Sequence, residues 1–429
     1  MVGLGGGRRW PGALALLAAL LAGLSARAES PFERAWRQAG EDEAKKRAAL
    51  ALLVEQADEA AAKILVQVVL SPREPPAVAL EALRALAALE GTAADRWIVR
   101  EAGRAQRDEV RAVLVRAIAR RQGAAAIEPL IAALDDRAWY VRAAAVAGLA
   151  GRRERRVVEA LIAALGKLRA GDPETPRLAS EIEDALYRLT GERLAGAEAW
   201  AGWWRAVGPG WTPPAAGQNA ELIEHQKITV TREPPQLFRD VELASRRVVF
   251  VIDVSGSMRV PVPGGTGEGT AGRTRFELMI RELKQVIEAL PRVAHFNIIA
   301  FSDEVRPWQK RLVRAEAAQR KAALAYLDTL APEGQTNSYG ALEAAFADPW
   351  IDTIFFLSDG HPTHGKTIDF TRILEAVERW NLVRGVRIHT IAFVAGDGRP
   401  LGITEDPAMA KTFMRELARI GAGRYRLVD

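Results

Sequence analysis

Three residues with hard oxygen side chains alternate along one short stretch: Asp253, Ser255 and Ser257, with Gly256 between the serines. A carboxylate and two hydroxyls at that spacing form a loop able to wrap a small divalent cation, and the glycine lets the backbone turn tightly around it. Three donors are too few for an octahedral ion, so the remainder must come from elsewhere in the chain or from outside it. Two later stretches carry the right chemistry. Residues 333–338 read EGQTNS and offer the hydroxyl of Thr336, while residues 353–360 read TIFFLSDG and deliver Asp359. His361 and His364 follow within HPTHG and invite a zinc proposal. Pro362 and Gly365 make that stretch a loop, without the i, i+4 helical register that puts two histidines on one face. The pair therefore reads as a polar rim that could tune ligand choice between pH 5 and 8.

These residues need elements that carry them to one place. Residues 248–252 (VVFVI) form a continuous apolar, β-branched run, as expected of a strand buried on both faces of a parallel sheet, and Asp253 ends it. The stretch before Asp359 repeats that pattern. In an open parallel sheet ligands bind beyond the carboxyl ends of the strands, which is where both aspartates fall. Between and after them the pattern predicts helices over 276–290, 315–330, 338–347, 370–383 and 408–420. It predicts strands over 296–301, 386–393 and 424–428, with a short edge strand at 305–308 cut by Pro307. Residues 259–274, rich in Gly and Pro, read as a loop.

The order D-x-S-x-S, then Thr, then Asp resembles the metal-ion-dependent adhesion motif of the von Willebrand factor A (vWA) family, matched at Asp253, Ser255, Ser257, Thr336 and Asp359. The resemblance spans about residues 245–429 and implies an α/β doubly wound, Rossmann-like domain. It also implies roles. Ser255 and Ser257 would bind the ion directly, Thr336 directly or through water, and Asp253 and Asp359 largely through water and hydrogen bonds. An Asp or Glu carboxylate of a protein partner would complete the octahedron. An all-oxygen, partly hydrated site suits Mg²⁺ or Mn²⁺ better than Zn²⁺.

The first half is built differently. From Pro31 to about Trp204 strong helix formers place apolar residues at helical spacing. Val110-Arg111-Ala112 recurs 31 residues later as Val141-Arg142-Ala143, and the IEPLIAAL beginning at Ile127 recurs at the same interval as the VEALIAAL beginning at Val158. A period of this length made of two helices marks a stacked solenoid, and it resembles HEAT-like repeats, with Asp135 or Asp136 capping the helix that follows. Arg111 and Arg142 could form a basic ridge, but seams between repeats routinely take such residues. Trp200, Trp203 and Trp204 share one helix face and read as closing the end of the array, ahead of a Pro-rich linker at 208–244 whose KITVT could add a short strand to either neighbour. The expected organisation is an all-α HEAT-like solenoid at 29–207 and the vWA domain at 245–429.

At the amino terminus Arg8 and Arg9 precede an apolar stretch from Ala13 to Leu24, and Ala26-Arg27-Ala28 supplies small residues at a cleavage-like site. Residues 1–28 thus read as a cleaved signal peptide, too short in its apolar part for a lasting anchor, with an exported, periplasmic or secreted product of bacterial type. The chain has no cysteine, which excludes disulfides and thiolate metal sites. A formal charge of +5 over 429 residues makes no case for a nucleic-acid partner.

These features point to a non-enzymatic, exported adaptor that captures a protein partner through a bound cation, with the repeats as a second interaction scaffold. One alternative is a metal-dependent phosphate hydrolase with Asp253 as nucleophile. Such enzymes typically need an acid two residues on, where this chain has Ser255. The other alternative is a structural scaffold with an inert vWA domain.

Overall fold

A computed structural model describes residues 29–169, 175–213, 226–228, 245–261, 274–393 and 407–428. The signal-peptide reading, most of the linker and most of the Gly- and Pro-rich loop after Arg259 lie outside these residues. The described residues group into two compact units, divided between Pro129 and Leu130.

The first unit is all helix: α1 (Pro31–Ala39), α2 (Glu43–Gln56), α3 (Glu59–Leu70), α4 (Pro76–Ala88), α5 (Asp95–Arg104), α6 (Asp108–Ala119) and the start of α7 (Ile127–Ala133). Local chemistry sets where they begin. Ser30 and Glu33 form a reciprocal capping box before α1, Asp42 accepts from Lys45 N–H before α2, and Asp58 accepts from Ala61 N–H before α3. Leu50, Leu53, Leu65, Leu83 and Leu86 are fully buried, which is how stacked helix pairs acquire a core that none has alone. Arg111 is buried too, donating to the Ala105 carbonyl (2.7 Å) and to Asp108 (2.7 Å), so it locks the preceding turn and offers no basic ridge.

The second unit opens with α8 (Trp139–Leu149), α9 (Arg155–Lys167), α10 (Thr175–Thr190) and α11 (Ala197–Val207). The sequence period survives in the starts of α6 and α8, at residues 108 and 139. The expected aspartate cap of α8 is displaced: Ala138 occupies the cap position, and Asp136 instead accepts from Ala138 N–H at 2.8 Å, fixing the turn before the helix. Of the tryptophan face on α11 only Trp200 is core; Trp203 and Trp204 are half-buried.

The sheet that follows consists of β1 (Gln226–Ile228), β2 (Arg247–Asp253), β3 (His295–Phe301), β4 (Val305–Pro307), β5 (Val313–Arg314), β6 (Thr353–Ser358), β7 (Arg387–Ala392) and β8 (Ala422–Val428). Its order is β1-β8-β7-β6-β2-β3-β4, with β5 also on β3. All pairings are parallel except those of β4 and β5. Within KITVT, Lys227 and Ile228 lie in β1 against β8, and residues 229–231 fall outside the described part.

Helices α12 (Arg275–Ala289), α13 (Ala317–Asp328), α14 (Ser338–Ala347), α15 (Phe370–Arg384) and α16 (Pro407–Ile420) cover the sheet. The apolar run of β2 is explained by what meets each side. Val248, Phe250 and Ile252 join Leu278, Leu283 and Ile287 of α12 in one core, while Val249 and Val251 join Leu342 of α14, Val377 of α15 and Leu417 of α16 in the other. With β2 flanked by β3 and β6, Asp253 stands at the carboxyl edge in the middle of the sheet.

Candidate metal centre

The parallel register pairs Ile252 with Leu357, so the ends of β2 and β6 lie side by side and bring Asp253 next to Ser358 and Asp359. Ser358 Oγ donates to Asp253 Oδ2 at 2.5 Å, and Ser255 N–H donates to Asp253 Oδ1 at 2.8 Å. Both oxygens of a fully buried carboxylate are therefore engaged, and its side chain is fixed. Ser255 Oγ and Ser257 Oγ stand 3.0 Å apart. Asp359, also buried, is paired with Arg275 at 3.2 Å.

The third loop is stitched to the first. Gly256 N–H donates to the Gly334 carbonyl (3.0 Å), and Glu333 N–H donates to that of Val254 (2.7 Å). Gly334 has φ +78°, and a Cβ there would collide with Asp303 Oδ2, so only glycine allows that approach. Thr336 is buried. Its N–H donates to Thr363 Oγ1 (2.9 Å), and its carbonyl accepts from the N–H groups of Thr363 (3.0 Å) and His364 (3.1 Å). The five residues singled out by spacing, Asp253, Ser255, Ser257, Thr336 and Asp359, thus sit on three loops bonded to one another. His361 lies in the loop after Asp359, with its ring edge-on to Phe370, and no helical register joins it to His364.

Electrostatically the centre crowds two acids into a buried space. Burial, and then the charge of Asp359, push the Asp253 carboxyl up to about 7. Asp359 is also raised by burial, against the lowering effects of Ser257, Arg275 and His361. Two buried, mutually repelling carboxylates beside adjacent hydroxyls are what a divalent ion would relieve. Cis oxygens of an octahedral Mg²⁺ with ~2.1 Å bonds lie about 3 Å apart, which is the spacing of the two serine hydroxyls. Among the described residues no three His, Cys, Asp or Glu side chains converge on one point, so the donor set is of the hydroxyl-rich kind, unsuited to zinc. The residues fit a small hard cation.

Sequence reasoning missed three supports. Ser358 precedes Asp359 and could have been read from strand register. Thr363, which bonds the Thr336 backbone, carried no signal. Arg275 follows Thr274, whose capping box with Glu277 (2.9 and 3.1 Å) sets the start of α12; the T-x-x-E spacing could have marked that start, but nothing marked the arginine.

Residues 246–427 match the family model of the von Willebrand factor type A domain, and residues 97–172 match that of HEAT repeats. The sheet-bearing part of the chain is a vWA domain. Among characterised proteins it is similar to human von Willebrand factor A domain-containing protein 3A, 28% identical over 179 residues. That stretch is 42% of this chain and 13% of that protein. It is also similar to human inter-alpha-trypsin inhibitor heavy chain H2, 29% identical over 133 residues, which is 28% of this chain and 13% of that protein. The chain therefore spans only a small fraction of these relatives. Two solved structures also resemble it. An aerotolerance-related membrane protein of Bacteroides fragilis is 16% identical, with 42% of this chain and 90% of that one covered and a TM-score of 0.32. A von Willebrand factor type A protein from Catenulispora acidiphila is 21% identical, with 41% and 42% covered and a TM-score of 0.27. Scores this low add nothing beyond the family match.

Proposed function

We propose that the vWA domain is a cation-dependent, non-enzymatic binding module that takes Mg²⁺ or Mn²⁺ and, through it, an Asp or Glu carboxylate of a protein partner, with the helical repeats as a second interaction scaffold. The carrying observation is the pair of hydroxyls 3.0 Å apart beside two buried carboxylates whose geometry other groups fix. Ser255 and Ser257 would hold the ion, Thr336 would reach it directly or through water, and Asp253 and Asp359 would orient its water and balance its charge. Bound there, the ion would supply a positive point charge with an exchangeable water. A phosphate hydrolase fits less well, because Asp253 is fully buried with both oxygens already accepting hydrogen bonds, which blunts it as a nucleophile.

The proposal extends to an exported protein with residues 1–28 as a signal peptide, 29–207 as the repeat region and 208–244 as a linker. Among the described residues no helix is long and apolar enough to cross a membrane. Calorimetry with Mn²⁺ and Mg²⁺ on the wild type and on Asp253→Ala tests the site. One saturable site, weakened at least ~10-fold in the variant, is expected. Absence of any site at millimolar metal would sink the reading.

A further inference from the structure

Arg275 is the first residue of α12 and is only 4% exposed, although its side chain carries a permanent charge. Three contacts fix its place: the capping box of Thr274, the Arg275 N–H bond to the Val260 carbonyl (2.9 Å), and the pairing of Pro261 with Thr274. Its guanidinium then meets Asp359 Oδ2 at 3.2 Å. The chain thus builds one fixed cation into the centre, alongside any that it binds.

The charge count gives this a consequence. Asp253 and Asp359 contribute two negative charges when ionised, and Arg275 returns one positive. A divalent ion added to the two aspartates alone leaves a neutral site, with nothing to favour an anion over water. Added to the centre as built, it leaves a net charge of +1. The exposed residues at the rim, Asp303, Glu333 and Arg259, are screened by solvent and weigh less than the buried trio.

Resting on the metal-site reading above, we propose that Arg275 is a positioning residue that competes with the divalent ion for Asp359 and so keeps the loaded centre electropositive, trading metal affinity for affinity toward a carboxylate ligand. In the metal-free protein Arg275 stands in as the counter-ion of Asp359. In the loaded protein it restrains Asp359 Oδ2 from binding the ion directly and adds its own field to the ion's.

The test uses the full chain with Arg275→Gln, which keeps amide donors but removes the charge, and Arg275→Lys, which keeps the charge. Mn²⁺ affinity is read by calorimetry, and carboxylate binding by the loss of Mn²⁺-enhanced water relaxation on titration with acetate. Arg275→Gln should bind Mn²⁺ at least ~5-fold more tightly, the size expected for removing one nearby charge in a mostly aqueous dielectric, and should need several-fold more acetate. Arg275→Lys should stay close to wild type in both. A side chain that only supports the fold would differ in the metal readout, with Mn²⁺ binding weakened along with acetate binding. If the wild type binds Mn²⁺ and a folded Arg275→Gln binds it no more tightly, the inference fails and the metal reading stands. If the wild type binds no Mn²⁺, both fail. Should Arg275→Gln not fold, Asp253→Asn with native Arg275 gives the reciprocal measurement: removing a negative charge should weaken Mn²⁺ but leave the remaining complex readier to take acetate, and unchanged acetate demand would overturn the charge argument.

Discussion

Arg177, on repeat helix α10, donates to the main-chain carbonyl of Asp352, the residue directly before β6, the strand that leads into Asp359. It also donates to the Gly385 carbonyl ahead of β7 and pairs with Glu181 on its own helix. Asp352 in turn pairs with Arg247 at 3.0 Å, and the ring of Trp139 lies 5.1 Å from each of the Arg177 and Arg247 guanidiniums. The last repeat helices therefore grip the amino ends of the sheet strands, at the edge opposite the candidate metal centre.

Arg177→Ala should cost about 3 kcal/mol of stability, the scale for removing one partner from a buried, hydrogen-bonded charge cluster, because Glu181 and the Gly385 carbonyl lose their Arg177 donor and the Asp352 carbonyl keeps only the Arg387 N–H. Chemical denaturation of the full chain measures it. A change below about 0.5 kcal/mol, typical of exposed sites, would show that the cluster is not formed in solution.

A fragment ending at residue 207 should keep its early repeats and lose protection in the later ones, since it leaves Arg177 without the partners that bury it and Trp139 without the Arg247 guanidinium over its ring. Amide exchange along the fragment reads this directly. Uniform protection through α10 would mean that the repeats stand without the vWA domain.

The metal centre should respond to pH in one direction. Burial and the charge of Asp359 hold the Asp253 carboxyl at about 7, so below that pH a cation must displace a proton to bind. Mn²⁺ affinity is expected to weaken by roughly tenfold per unit as pH falls from 7 to 5 and to level off above 7. Calorimetry in buffers of different ionisation enthalpy also reports the released proton. A flat profile would mean that Asp253 is already ionised in the metal-free protein.

Most of the vWA fold was legible because each element carried its own period. The β2 run is apolar at every position because α12 meets one face and α14 to α16 the other. That the five oxygen-bearing residues come together was legible for a related reason, since strand ends project them into neighbouring loops. What the sequence did not disclose depends on distant partners. Arg275 and Asp359 are 84 positions apart and meet only through the crossover of α12, and Arg177 looks like any helical arginine until the sheet is placed beside it. The cap of α8 was misplaced because Asp136 satisfies the turn first and leaves Ala138 to start the helix.

Thr336→Ala and Ser257→Ala should separate. Removing the Ser257 hydroxyl deletes one of the two adjacent donors, so Mn²⁺ affinity should drop at least ~10-fold. Thr336 is bound into its loop by backbone groups, so its loss should leave the melting temperature nearly unchanged and weaken acetate more than metal. Calorimetry and relaxation on both variants decide this, and equal losses in both readouts for both variants would contradict it.

Acid should weaken the domain through His389. This side chain is buried on β7, stacked on Phe355 with ring centroids 4.6 Å apart, and its Nδ1 accepts from Arg424 N–H at 3.1 Å. That bond requires the neutral tautomer with its lone pair on Nδ1. Burial, and then the charges of Arg387, Arg424, Arg426 and Arg177, hold the imidazole well below its ordinary value of 6.5. Once unfolded, the ring takes up a proton below pH 6.5, while the native ring does not until far lower. The unfolded state then binds more protons, so stability falls as pH drops, by about 1.4 kcal/mol per unit. Between pH 6.5 and 5 the wild type should lose about 2 kcal/mol that His389→Gln does not lose, since glutamine keeps an acceptor but cannot titrate. The variant should be less stable at pH 8, where the stacked ring is missed, and its melting temperature should change less on acidification. The two carboxylates of the metal centre titrate alike in both proteins, so comparing the slopes isolates His389. Parallel slopes would mean that the ring is protonated in the native protein or reaches solvent.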